Sequence, residues 1–142
     1  MEIRSVEKHI LKYATAAAEK STYNRRQKVG AVVFMGKKIL SFGFNSEKTD
    51  PLQKKYNSFR EDIDDSRPHK IHAEINALKK LKDANIDLSR ASIVVCRLSN
   101  TGTQKYAMAR PCPACFEYIK ECGLKHIYYT TDQGFAEEIL DY

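Results

Sequence analysis

The amino-acid sequence predicts a single α/β domain of three layers, α/β/α, with helices on both faces of a mixed central sheet. The chain has 142 residues, and one domain usually takes about 100 to 200 residues. Two apolar segments joined by a short connection predict an antiparallel hairpin near the start of the chain. Helical patterns then alternate with apolar strands, as in sheets that are covered by helices. We therefore expect residues 1–142 to form one domain.

The first three elements follow from the spacing of apolar residues. Apolar side chains recur every three or four positions between charged ones, which predicts a helix over about residues 4–20. Two segments rich in β-branched and aromatic residues come next, Val29 to Met35 and Lys38 to Phe44. Only Gly36 and Lys37 separate them, so we expect an antiparallel pair.

Residues 45–70 do not show the pattern of a helix or a strand. The segment contains two prolines, many charged residues and little apolar periodicity. Connections of this length in a compact domain are usually functional loops. We therefore expect a lid or specificity loop at 45–70.

The second half predicts helices that alternate with strands. Gly123 supplies a stop signal for the later of its two helices. The last ten residues fit either a helix or a strand. The other expected elements are a helix over about 71–84, a strand at 91–97, a helix at 111–122 and a strand at 126–130.

Composition and charge exclude several classes of protein. The longest apolar runs have five or six residues, whereas a membrane span requires about 20, so we expect no membrane partner. Lysine and arginine number 24 against 18 acidic residues, and the excess lies within residues 1–70. A basic half suits a nucleotide phosphate or a nucleic acid backbone. A solvated lysine-rich surface explains the same charge.

The four cysteines favour thiols or metal ligands over disulfides. The N-terminus has charged residues every few positions, where a secretory signal would have an uninterrupted apolar stretch. Without such a signal, a reducing compartment and free thiols are the usual state. We therefore expect a cytoplasmic protein.

Two of these cysteines, Cys112 and Cys115, are spaced to act together. They lie three residues apart where a helix is expected to begin, and such positions share one helix face. The positive end of the helix dipole favours the thiolate form, which both metal binding and redox chemistry require. The spacing alone leaves a redox dithiol and a metal site open.

His72 and Glu74, at the start of another expected helix, favour the metal site. Two thiolates and one imidazole can hold Zn²⁺ tetrahedrally with the fourth position open, the arrangement of catalytic zinc. Zinc lowers the pKa of bound water to about 7, and a nearby carboxylate can move the protons. The two side chains are about 200° apart on a regular helix, so they face one pocket only at a helix end. Taken singly, His72 also fits a capping role and Glu74 a partner of the helix dipole.

The pattern His-x-Glu followed by Pro-Cys-x-x-Cys resembles the zinc nucleobase deaminases. Val29-Gly30-Ala31-Val32-Val33 looks like the first strand of that superfamily, and Gly43-Phe44-Asn45 looks like its Gly-x-Asn segment. His72-Ala73-Glu74-Ile75-Asn76-Ala77 resembles its active-site helix and is most similar to that of deoxycytidylate deaminases.

The resemblance implies a cytidine-deaminase-like fold and assigns roles to six residues. His72, Cys112 and Cys115 would be the zinc ligands, and Glu74 the proton shuttle. Asn45 would contact the sugar, and the backbone at Ala73 would contact the pyrimidine edge.

The implied reaction is hydrolytic deamination of a cytosine nucleotide, with dCMP to dUMP and ammonia expected first. One alternative is a deaminase of single-stranded DNA or tRNA, which the basic first half favours. The other is a zinc or redox module without enzymatic activity. The expected partners are a small-molecule nucleotide and further copies of the chain in a homo-oligomer, with nucleic acid as second choice.

Overall fold

The computed structural model describes residues 8–21, 28–60, 69–82, 84–99 and 105–140. The helices are α1 (Lys8–Glu19), α2 (Pro51–Asn57), α3 (Ala73–Lys79) and α4 (Pro113–Glu121), with a 3₁₀ turn at Leu88–Arg90. The strands are β1 (Val29–Met35), β2 (Lys38–Phe44), β3 (Ser92–Leu98), β4 (Tyr106–Ala107), β5 (His126–Thr131) and β6 (Gly134–Ile139). In the described ranges, no helix has the length and apolar character of a membrane span.

The six strands form one mixed sheet in the order β2-β1-β3-β5-β6, with β4 paired to β3. The β3 and β5 strands are parallel, and the remaining neighbours are antiparallel. The expected hairpin is confirmed: Met35 pairs with Lys38, and Gly36 turns the chain with a φ of 60°. That left-handed conformation is costly for residues with a Cβ and is free of strain for glycine.

Helices cover both faces of the sheet, which confirms the three-layer prediction. On one face, α1 packs on side chains that include Val32 and Val94. On the other face, the neighbouring residues Val33 and Val95 belong to a core shared with α3 and α4. Because β1 and β3 are buried on both sides, their sequences are continuous apolar runs and do not alternate with polar residues.

Part of the predicted loop at 45–70 is helical: residues 51–57 form α2, where neither a helix nor a strand was expected. The lid or specificity role of the segment stays a prediction. The backbone N–H of Leu52 donates to the side chain of Asp50 over 2.8 Å, which caps α2 at its start. Pro51 occupies the first helical position, where its missing N–H costs nothing. Helix α2 shows little apolar periodicity because two of its buried residues, Gln53 and Asn57, are polar. Residues 61–68 lie outside the described ranges.

The other elements agree with the prediction within a few residues at their ends. The first helix begins at Lys8 in the described part of the chain, and residues 4–7 lie outside it. The helix expected over 71–84 is shorter, because a turn follows Lys79 and the backbone of Asn85 has a φ of 55°. The open question at the C-terminus is settled for 134–139, which form β6.

Close contact between β2 and α3 depends on Gly43. A Cβ at this position would lie 2.5 Å from the backbone nitrogen of Ala77 and 2.8 Å from the carbonyl oxygen of Ala73. Both atoms belong to α3, so only glycine lets that helix lie so close to the strand.

We predict that Gly43→Ala lowers the free energy of unfolding by about 1–3 kcal/mol, the usual cost of inserting an extra carbon into a packed interior. Lys38→Ala, at an exposed position of the same strand, is the control and should change it by less than about 0.5 kcal/mol. Urea denaturation measures both. A Gly43→Ala variant as stable as wild type would show that α3 does not need this close contact.

Candidate metal centre and active site

The N-termini of α3 and α4 meet on one face of the sheet. His72 is the N-cap of α3, and Cys112 is the N-cap of α4. Both residues have extended backbones, with ψ of 158° and 166°, so each side chain precedes its helix. Pro113 opens α4, and Cys115 follows in its first turn, fully buried.

The three predicted ligands are brought together. His72 Nδ1 lies 3.6 Å from Cys112 Sγ and 3.4 Å from Cys115 Sγ. All three donor atoms lie within 4.8 Å of one another. Zinc bonds of about 2.3 Å to sulfur and 2.0–2.1 Å to nitrogen place S and N about 3.6 Å apart in a tetrahedron. The donor set and its spacing therefore fit zinc without rearrangement.

The two thiols differ in their affinity for protons. A hydrogen bond from Cys115, helped by His72 and opposed by burial, lowers the pKa of Cys112 to about 4. The same hydrogen bond, together with burial and the nearby Glu74, raises the pKa of Cys115 well above its usual value. One thiolate is thus available at neutral pH, which is the form that binds metal.

The imidazole of His72 responds to the same neighbours. Burial alone would lower its pKa. The hydrogen bond and charge of Cys112, with the charge of Glu74, outweigh burial, so the pKa of His72 is raised. The group is held in a negative environment, which also suits a divalent cation.

Glu74 lies beside the three predicted ligands and interacts with Cys115. It is the second residue of α3 and is 5% exposed. Burial raises the pKa of its carboxyl to about 7, although the nearby His72 works to lower it. Because His72 precedes the helix and Glu74 lies in its first turn, both reach one side of the site, as the sequence argument required. A carboxyl that titrates near neutrality can both accept and release a proton.

Of the two predicted substrate contacts, Ala73 lies at the start of α3 beside His72, and Asn45 lies at the end of the neighbouring strand β2. Ala73 is the first residue of α3 and is fully buried. Asn45 follows β2, and its side-chain oxygen accepts hydrogen bonds from Ser21 Oγ at 2.6 Å and Val29 N at 3.0 Å. These bonds fix the Asn45 amide relative to the start of β1.

One residue at the site was missed by the sequence analysis. Gln53, on α2, is fully buried, and its Oε1 accepts a hydrogen bond of 2.9 Å from the backbone N–H of His72. The Asp50-Pro51 pair was a signal for a helix start and would have placed Gln53 on that helix.

Comparison with known proteins decides the family. Residues 4–131 match the family model described as the cytidine and deoxycytidylate deaminase zinc-binding region. The chain belongs to this family. It is therefore a zinc-dependent hydrolytic deaminase, and its fold class and zinc cofactor agree with the sequence predictions.

Solved structures support the fold of this deaminase. The dCMP deaminase of cyanophage S-TIM5, in apo form, is 27% identical and has a TM-score of 0.59, with 87% of this chain and 81% of that chain covered. A cytidine deaminase from Burkholderia pseudomallei has a TM-score of 0.62 at 18% identity, and the match covers 94% of this chain and 93% of that chain. The second likeness bears on the fold alone. No curated protein sequence matches the chain.

We predict about one zinc ion per chain in this deaminase, lost when Cys112 is replaced by alanine. Cys96→Ala is the matched control. Cys96 is a buried cysteine packed with α1 on the opposite face of the sheet, so its loss should leave the zinc content unchanged. Elemental analysis of freshly purified protein measures both. Zinc retained in Cys112→Ala, or an oxidised Cys112–Cys115 pair with redox activity, would contradict the ligand assignment.

Proposed function

We propose that this deaminase converts dCMP to dUMP and ammonia. The observation that carries the proposal is the convergence of His72, Cys112 and Cys115 with the buried carboxyl of Glu74. The similarity to the S-TIM5 enzyme supports dCMP as the substrate, since that protein is described as a dCMP deaminase and was also solved in complex with dCMP and dUMP. The sequence His72 to Ala77 adds support through its resemblance to deoxycytidylate deaminases.

In this proposal, His72 Nδ1, Cys112 Sγ and Cys115 Sγ hold the zinc ion. The chemistry that bound zinc supplies is the activation of water near neutral pH. Cys115 is fully buried, whereas His72 and Cys112 are half-buried, so the site is shielded from bulk water on the Cys115 side. Their short separations keep the donor atoms ready for the metal, so binding requires little reordering.

Glu74 moves the protons of the reaction. As water adds to C4 of the cytosine ring, its first proton passes through the Glu74 carboxyl to N3. The second proton goes to the departing amino group, so the C4–N bond breaks and ammonia leaves. The ring retains oxygen at C4 and hydrogen at N3, as in uracil. A carboxyl with a pKa near 7 suits both the uptake and the release of a proton.

The substrate contacts are proposed from the resemblance. Asn45 would contact the sugar, and the hydrogen bonds from Ser21 and Val29 orient the Asn45 amide. The backbone at Ala73 would meet the pyrimidine edge, since this residue lies between the ligand His72 and the proton carrier Glu74. Homo-oligomer formation and a cytoplasmic location stay predictions.

Replacing Glu74 tests its role as proton carrier. We predict that Glu74→Gln keeps the fold and the zinc but loses about 10²- to 10⁴-fold in kcat, the usual contribution of a general acid–base group. Glu137→Gln, on the edge strand β6, is the control and should retain wild-type turnover. Activity of Glu74→Gln within a few-fold of wild type would remove Glu74 from the mechanism.

The choice of substrate is tested by ammonia release across cytidine, deoxycytidine, their monophosphates, a short single-stranded DNA and a tRNA stem-loop. We predict the highest kcat/KM with dCMP and a shallow dependence on salt, because one phosphate releases few counterions. A preference for either polymer that collapses between low and physiological salt would contradict the proposal. That result would instead indicate that the basic residues of positions 1–70 form a binding surface for nucleic acid.

A further inference from the structure

Helix α2 contacts both of the helices that carry the candidate zinc ligands. At its start, the Asp50 carboxylate pairs with Lys79 of α3. At its end, the Tyr56 hydroxyl donates to Glu121 of α4, and the Tyr56 ring lies 5.0 Å from that of Tyr118. The helix therefore links α3 and α4 at some distance from their N-termini.

Between these two ends, Gln53 contacts the backbone of His72, one of the three predicted zinc ligands. Its Oε1 accepts the hydrogen bond from the backbone N–H of His72. The N–H groups at the start of a helix, including that of the N-cap residue, have no partner within the helix. Gln53 supplies an acceptor for the N–H of His72 from a different helix.

The orientation of Gln53 is fixed by a short chain of buried amides. Gln53 Nε2 donates to Asn57 Oδ1 over 2.8 Å, and Asn57 Nδ2 donates to His69 Nδ1 over 2.8 Å. Gln53 is fully buried, and Asn57 is 6% exposed. A buried amide is costly unless it is hydrogen-bonded. Here both ends of the Gln53 amide have partners, so the side chain has one favourable orientation.

We propose that Gln53 is a positioning residue for the metal centre, holding the backbone of His72 so that its imidazole stays within reach of Cys112 and Cys115. The inference rests on the proposed role of His72 as a zinc ligand. Groups that orient metal ligands typically change metal affinity by about 10- to 100-fold when they are lost. Helix α2 thus influences the affinity for zinc through the hydrogen bond between His72 and Gln53.

The test is zinc affinity measured by competition with a chelator, together with thermal unfolding of each variant. Gln53→Met keeps the length of the side chain but removes the acceptor for His72 N–H. We expect the Kd for zinc to rise by about 10- to 100-fold. Tyr56→Phe is the matched control on the same helix, because it removes the contact with Glu121 and leaves Gln53 in place. It should lower the Tm while leaving the Kd for zinc unchanged.

Equal losses of zinc affinity in Gln53→Met and Tyr56→Phe would overturn the inference, because they would reflect a general weakening of α2. An unchanged Kd in Gln53→Met would also overturn it. If Gln53→Met does not fold, Asn57→Ala replaces it. That variant leaves Gln53 present but free to rotate, and it should weaken zinc binding several-fold, whereas an unchanged Kd would overturn the inference.

The same measurements separate this inference from the proposed zinc site. If His72→Ala binds zinc as tightly as wild type, the ligand assignment is wrong, and the role of Gln53 is wrong with it. If His72→Ala loses zinc while Gln53→Met holds it with wild-type affinity, only the role of Gln53 is wrong.

Discussion

The distance between one imidazole nitrogen and two sulfur atoms is the constraint on which this structure depends. A tetrahedral zinc site tolerates little variation in that distance, because the bonds to sulfur and nitrogen have defined lengths. The three donor atoms come from two helices that are far apart in sequence, with His72 on one and Cys112 and Cys115 on the other. The sheet and its packing must therefore place two helix ends to within a few tenths of an ångström.

Several features of the fold meet that requirement. Because Gly43 has no side chain, the backbone of α3 can lie directly against the backbone of β2. The parallel pair β3 and β5 holds α4 on the same face of the sheet as α3. Helix α2 contacts both helices, and Gln53 extends that contact to the backbone of His72. Removing water from this face also has a chemical consequence, since burial raises the pKa of Glu74 into the range where it can exchange protons.

The features that the sequence predicted correctly are those with a local cause. The first hairpin follows from β-branched residues and from a glycine at the turn, and the pairing of Met35 with Lys38 agrees with it. The approach of His72 to Cys112 and Cys115 was expected from residue type, spacing and helix starts. Helix α2 was missed because its inward-facing Gln53 and Asn57 are stabilised by hydrogen bonds, which a hydropathy pattern does not record. The last strand was ambiguous because β6 lies at the edge of the sheet and contains the adjacent acidic residues Glu137 and Glu138.

X-ray absorption at the zinc edge of the purified, active deaminase tests the ligand geometry most directly. We expect two sulfur scatterers at about 2.3 Å and nitrogen or oxygen scatterers at about 2.0–2.1 Å, the latter from His72 and one further ligand. A first shell without sulfur, or one made of four sulfurs, would contradict it, because neither can be formed by His72, Cys112 and Cys115.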